Sequence, residues 1–102
     1  MSKVLETAEK EVIRAEILST CNMAAPEGAD TKVLKAVVRK LGYELSEDDI
    51  KRQVDYLKQK SLVDTREIGN GRLGIQRTIV TITAVGIDYL EGNSSDIPGI
   101  GD

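Results

Sequence analysis

The chain has no histidine, no phenylalanine and no tryptophan, and one cysteine among 102 residues. Without histidine, the commonest general base and the commonest metal ligand are missing. A single thiol, Cys21, excludes an internal disulfide and a cysteine-based zinc cluster. Cys21 lies in an apolar-periodic stretch and reads as a small core residue, not a nucleophile. With three tyrosines as the only aromatics, the core must be built from Leu, Ile, Val and Ala. No apolar run approaches the roughly 20 residues of a membrane span. The opening stretch MSKVLETAEKE is acidic and lacks the apolar region of a signal peptide. The sequon Asn93-Ser94-Ser95 is the one feature that would suit secretion. These absences lead to the expectation of a cytoplasmic protein that is not an enzyme and carries neither cofactor nor metal.

What is present is charge, and it is unevenly placed. The net charge is −3, but residues 1–30 carry three bases and six acids, whereas residues 31–60 carry eight bases and five acids. Only the central third is basic, so total charge alone neither requires nor excludes a nucleic-acid partner.

From Val4 to about Cys21, Leu5, Ala8, Val12 and Ala15 recur at three- and four-residue steps, with Ile13, Ile17 and Leu18 widening the stripe. This predicts an amphipathic helix. Pro26 and Gly28 then break the pattern. Asp30 or Thr31 can cap a second helix that presents Val33, Leu34, Val37, Val38 and Leu41 and stops at Gly42. Ser46, followed three residues later by Asp49, predicts a capping box at the start of a third helix with the seam Ile50, Val54 and Leu57. The acidic triplet Glu47-Asp48-Asp49 suits the positive end of that helix, which explains it with fewer assumptions than a cation site. After Ser61 the period changes. LVDTREI and IQRTIVTIT are rich in β-branched residues and predict a two-stranded hairpin. TAVGIDYLEG regains helical spacing, with Val85 or Ile87, Tyr89 and Leu90 expected to pack inward and Gly92 as a stop. Residues 1–92 thus read as one domain and residues 93–102 as a flexible tail.

Between the two strands stands IGNGRLGIQ, with Gly69, Gly71 and Gly74 spaced as G-x-G-x-x-G. A dinucleotide loop of this spacing opens a helix whose N-terminus receives the pyrophosphate. Here a β-branched strand follows instead. A kinase-type glycine loop does lie between strands, but that fold needs a far longer chain and a catalytic loop containing His. No Gly-Lys-Ser/Thr follows for a P-loop. The glycines fit a hairpin tip, with Asn70-Gly71 as a favoured type I′ pair.

Two stretches carry a resemblance to a known family. SEDDIKRQVDYLKQKSLVD resembles the recognition-helix segment of winged helix-turn-helix domains, where an apolar seam runs into a GLV-like approach to the wing. VTITAVGIDYLEG resembles the L-T-x-x-G-x-x-x-L close that follows the wing in small bacterial and phage-type DNA-binding regulators; Ile82, Thr83, Gly86 and Leu90 carry it here. The resemblance spans roughly Val12 to Gly92, with Ser61 standing where the family usually has glycine. It implies an α+β, mainly α fold: a three-helix core, a two-stranded β wing and a C-terminal helix. It also implies double-stranded DNA as partner and a role in transcription regulation. Lys51, Arg52, Tyr56 and Gln59 would act from the third helix, Lys32, Lys35, Arg39 and Lys40 from the second, and Asn70 and Arg72 from the wing. Spacing puts Asp48, Arg52, Asp55 and Gln59 opposite the buried seam of the third helix, and pairs of Arg52 with Asp48 or Asp55 would neutralise that face. The acidic total and this mixed face keep open a rival reading, a winged-helix protein–protein interaction module without nucleic-acid binding. The first helix or the C-terminal helix would supply the interface of a homodimer.

Overall fold

The computed structural model describes residues 5–70, 72–92 and 99–100, with the side chains of Asn70 and Ile75 outside that description. The element order is α1 (Thr7–Met23), β1 (Ala29–Asp30), α2 (Thr31–Lys40), α3 (Glu47–Gln59), β2 (Val63–Asn70), β3 (Ile75–Ile82) and α4 (Ala84–Leu90). The fold is mixed α+β and mainly helical, with one small antiparallel sheet, and it is compatible with a winged helix.

The helix signals act largely as their chemistry requires. Asp30 Oδ1 accepts from the Lys32 N–H at 2.9 Å and so caps α2. At α3, Ser46 Oγ accepts from Asp49 N while Asp49 Oδ2 accepts from Ser46 N, at 3.1 and 3.2 Å, which completes the capping box. Gly42, just past α2, has φ +99°, as a helix stop requires. The first helix starts later than its apolar pattern, at Thr7, where Glu6 and Glu9 form a reciprocal cap.

The sheet has three strands, not the expected two, in the order β1-β3-β2. The added strand is two residues long: Ala29 pairs with Val80 and Asp30 with Ile79. No periodicity can be read from so short a segment, which is why the pattern missed it. The hairpin registers from Val63↔Ile82 to Asn70↔Ile75. Asn70 therefore closes the ladder, and residues 71–74 form the connection. The register ends with Asn70 paired to Ile75, with Gly69 inside β2 opposite Gln76, so Asn70 stands in the ladder and not at the centre of a two-residue turn; Gly71 lies outside the described residues, and Gly74 takes φ +67°.

The core gathers Ile13, Ile17, Leu18 and Cys21 from α1, Leu34 and Val38 from α2, Ile50, Val54 and Leu57 from α3, and Leu62, Val63, Val80 and Ile82 from the hairpin and its approach. Burying each large aliphatic side chain contributes on the order of 1.5–3 kcal/mol. Burial also pushes the Cys21 thiol up to about 12, which keeps it protonated and unreactive. In α4 the inward residues are Gly86, Ile87 and Tyr89, whereas Val85 and Leu90 are exposed. Gly86 determines this rotation: a Cβ there would overlap the Leu62 carbonyl oxygen, so only the glycine edge of α4 can come this close to the hairpin. In the stretch read as a flexible tail, Gly99 and Ile100 are in place, with Ile100 buried in the core; residues 93–98 and 101–102 lie outside the described residues.

Candidate functional site

At 100° per residue, α3 turns Asp48, Arg52, Asp55 and Gln59 away from its buried seam, and all four are exposed. Arg52 is not an independent cation on this face. Its Nη1 lies 3.0 Å from Oδ1 of Asp49, the carboxylate that also caps the helix and is nearly buried. The expected neutralisation of Arg52 therefore comes from Asp49, one turn back. Asp48 and Asp55 make no hydrogen bond or ion pair with any described residue, so the centre of the face keeps two uncompensated negative charges.

Tyr56 also departs from its expected place. It is half-buried against the core, with the Arg14 guanidinium carbon 3.6 Å from its ring centroid and Lys60 Nζ at 5.5 Å. Its ring is taken up on the α1 side of α3 and is not offered outward. Gln53, which the seam Ile50–Val54–Leu57 did not include, is buried as well and accepts from Arg14 Nε at 2.8 Å.

On its other flank α3 faces the hairpin. Lys58 Nζ reaches Thr65 Oγ1 at 3.0 Å. Toward the helix N-terminus the gap opens into a polar groove lined by Lys51 and Glu47 of α3, Asp30, Thr31 and Lys32 at the start of α2, and Glu67, Gln76 and Arg77 of the hairpin. Four of these groups satisfy one another, while the Glu47 and Thr31 side chains have no partner among the described residues. Arg77 Nε lies 2.7 Å from Asp30 Oδ2, and Gln76 Nε2 donates to Glu67 Oε2 at 3.1 Å. Lys32 and Lys51 do not: neither has an ion-pair or hydrogen-bond partner through its ammonium group among the described residues.

Lys35, one turn beyond Lys32 on the same face of α2, is exposed and likewise without a partner among the described residues. Arg39 continues that stripe at i+7 and pairs with Glu44 at 3.1 Å. Both side chains are largely exposed, so this bond is worth little and can be exchanged for another anion. Lys40 is exposed but turned about 80° from Lys32 around the helix axis. At the hairpin tip Arg72 and Leu73 are exposed, Leu73 at 68%. The Asn70 side chain lies outside the described residues.

The structure thus brings Lys32 and Lys51 together around one groove, leaves Lys35 further along α2, withdraws Tyr56, and ties Arg52 to the capping carboxylate. Arg77 was not picked out in the sequence. Nothing in IQRTIVTIT distinguishes it, because its partner Asp30 is 47 residues away.

A second surface feature lies between α1 and α4. Val12 and Ala15 of α1, Leu41 after α2, and Tyr89 and Leu90 of α4 line an apolar groove, in which Val12, Leu41 and Leu90 are 47%, 45% and 38% exposed. Among the described residues, no group of three or more Cys, Asp and Glu could hold a metal ion, and no helix is long and apolar enough to cross a membrane. No protein-family model and no curated protein matches the sequence.

Proposed function

We propose that the protein is a winged-helix DNA-binding protein, a small transcriptional regulator in which α3 is the recognition helix and the β2–β3 hairpin is the wing. The observation that carries this reading is the pair Lys32 of α2 and Lys51 of α3, two cations that line the same groove and whose ammonium groups have no partner among the described residues. A duplex phosphate backbone running along that groove would supply the anions they lack. Lys35, and Arg39 after exchange of Glu44, extend the same track along α2. Arg72 at the wing tip is suited to a phosphate or to a narrow minor groove. Gln59 remains on the outward face of α3 for base edges, and Arg52 would reach them only on leaving Asp49. The apolar groove between α1 and α4 is the surface we assign to homodimer formation.

Titration against random-sequence duplex DNA at low and moderate salt tests this reading. Binding should weaken steeply with salt, and each of Lys32→Ala, Lys35→Ala and Lys51→Ala should lower affinity and reduce the salt slope by about one. No detectable binding at low salt would discard it.

Asp48 and Asp55 favour a second reading. Two uncompensated carboxylates at the centre of the α3 face suit a basic protein surface better than a phosphate backbone. On that reading the same scaffold is a protein-interaction module.

A further inference from the structure

Arg14 leaves the flank of α1 and joins three segments that are far apart in sequence. Its Nε donates to Gln53 Oε1 at 2.8 Å, its Nη1 donates to the Gly99 carbonyl at 2.9 Å, and its guanidinium stacks on the Tyr56 ring at 3.6 Å. Gln53 and Tyr56 belong to α3, whereas Gly99 comes from beyond α4. The next residue, Ile100, is 7% exposed and packs into the core cluster. Gly99 itself admits no side chain: a Cβ would overlap Tyr56 Oη, and its φ of +90° is one that L-residues rarely adopt.

A planar guanidinium is suited to this task. It can direct two N–H bonds to different acceptors while its face lies on an aromatic ring, which an ammonium group cannot reproduce. Half-burial of Arg14 beside the core strengthens each of these contacts relative to an exposed pair. The second half of α3 is therefore held on this side by Arg14, and Arg14 is held in turn by the backbone of Gly99.

We infer that Gly99–Ile100 is an intramolecular strap. Anchored by Ile100 and clasped by Arg14, it seats the second half of α3 against α1. Arg14 is its positioning residue and acts on α3 through Gln53 and Tyr56. Release of the strap loosens α3 while the rest of the domain stays folded, so an event at the C-terminal segment is transmitted to the exposed face of α3. This inference stands without the DNA reading.

Amide hydrogen exchange on the full chain tests it, using Gly99→Ala, Ile100→Ala and Arg14→Lys, with Val80→Ala as a core substitution in the sheet. At matched global stability, exchange over residues 53–59 should quicken by about tenfold or more in the first three variants relative to Val80→Ala, with α2 unchanged. If exchange in Gly99→Ala and Ile100→Ala only follows global stability as in Val80→Ala, Ile100 is core filling and the strap is overturned. If Arg14→Lys leaves residues 53–59 protected, Arg14 is not the link. Where the wild type binds duplex DNA, the strap variants should bind it more weakly with an unchanged salt slope, which separates positioning from lost charge. A wild type that binds no DNA counts against the DNA reading alone, and the exchange data still decide on the strap.

Discussion

Arg77, near the middle of the central strand, lies 2.7 Å from the Asp30 carboxylate that caps α2. One carboxylate thus joins the sheet to the helix that bears Lys32 and Lys35. The N–H of Lys32 and, after it, the Arg77 guanidinium hold the Asp30 carboxyl below its usual range, against the opposing effect of burial. Because the folded-state value is the lower one, the unfolded chain takes up this proton first. The contribution of Asp30 is therefore complete at neutral pH and is lost as pH falls from about 4 through the folded-state value. Asp30→Asn keeps a capping side chain but no charge. Urea unfolding at pH 7 and pH 3 should show a smaller loss of stability for Asp30→Asn than for the wild type.

Ser61 ends the α3 turn with φ 64°, the one non-glycine residue with positive φ among those described. A side chain in this conformation costs about 1 kcal/mol or somewhat more. Ser61→Gly should therefore stabilise the protein by about 1 kcal/mol, raising the thermal midpoint by about 4–8 °C for a domain of this size. The bond from Thr83 Oγ1 uses the Ser61 carbonyl and survives the change. An unchanged or lower midpoint would contradict the assignment of strain.

Gly86 behaves in the opposite way. Its missing Cβ leaves room for the Leu62 carbonyl and the Ile82 side chain. That same carbonyl accepts the Thr83 N–H at 3.0 Å. Gly86→Ala should displace the start of α4 and cost about 1–3 kcal/mol, as overpacking usually does. Thermal melting checks the cost, and chemical shifts of α4 report the displacement.

Asp48 and Asp55 separate the two functional readings. On the DNA reading they repel phosphate, so Asp48→Asn with Asp55→Asn should tighten binding to random duplex several-fold at low salt. Fluorescence anisotropy measures this directly. A weakened affinity would point to contacts made by the carboxylates themselves, such as hydrogen bonds accepted from cytosine, and an unchanged one would place this face away from the DNA.

The parts legible in the sequence are those governed by local chemistry. Ser46 with Asp49, Asp30 ahead of Lys32, and the change of period after Ser61 each depend on residues a few positions apart, and each appears in the structure. What was not legible depends on partners distant in the chain. Tyr56 borders the outward face of α3 by its spacing; its contact with Arg14, 42 positions earlier, holds the ring on the α1 side. β1 exists only because β3 passes beside Ala29 and Asp30. At the candidate site, the sequence shows which cations are present but not their engagement: Arg39 and Arg52 look as available as Lys32 and Lys51 until their carboxylates are seen.

The short strand β1 has a further consequence, for the order of folding. Its two residues pair with β3 about fifty positions downstream, so the sheet cannot be completed until the three helices and the hairpin have been brought together. Closing a loop of that length is entropically costly and slow compared with forming a helix or a hairpin. The helices and the hairpin are therefore expected to collapse first, with Ala29 and Asp30 locking last. A fragment that ends before the hairpin would lack the partner strand of β1, the Arg77 clasp on Asp30 and the Val80 side of the core. It should behave as a fluctuating helical collapse and not as an independent domain.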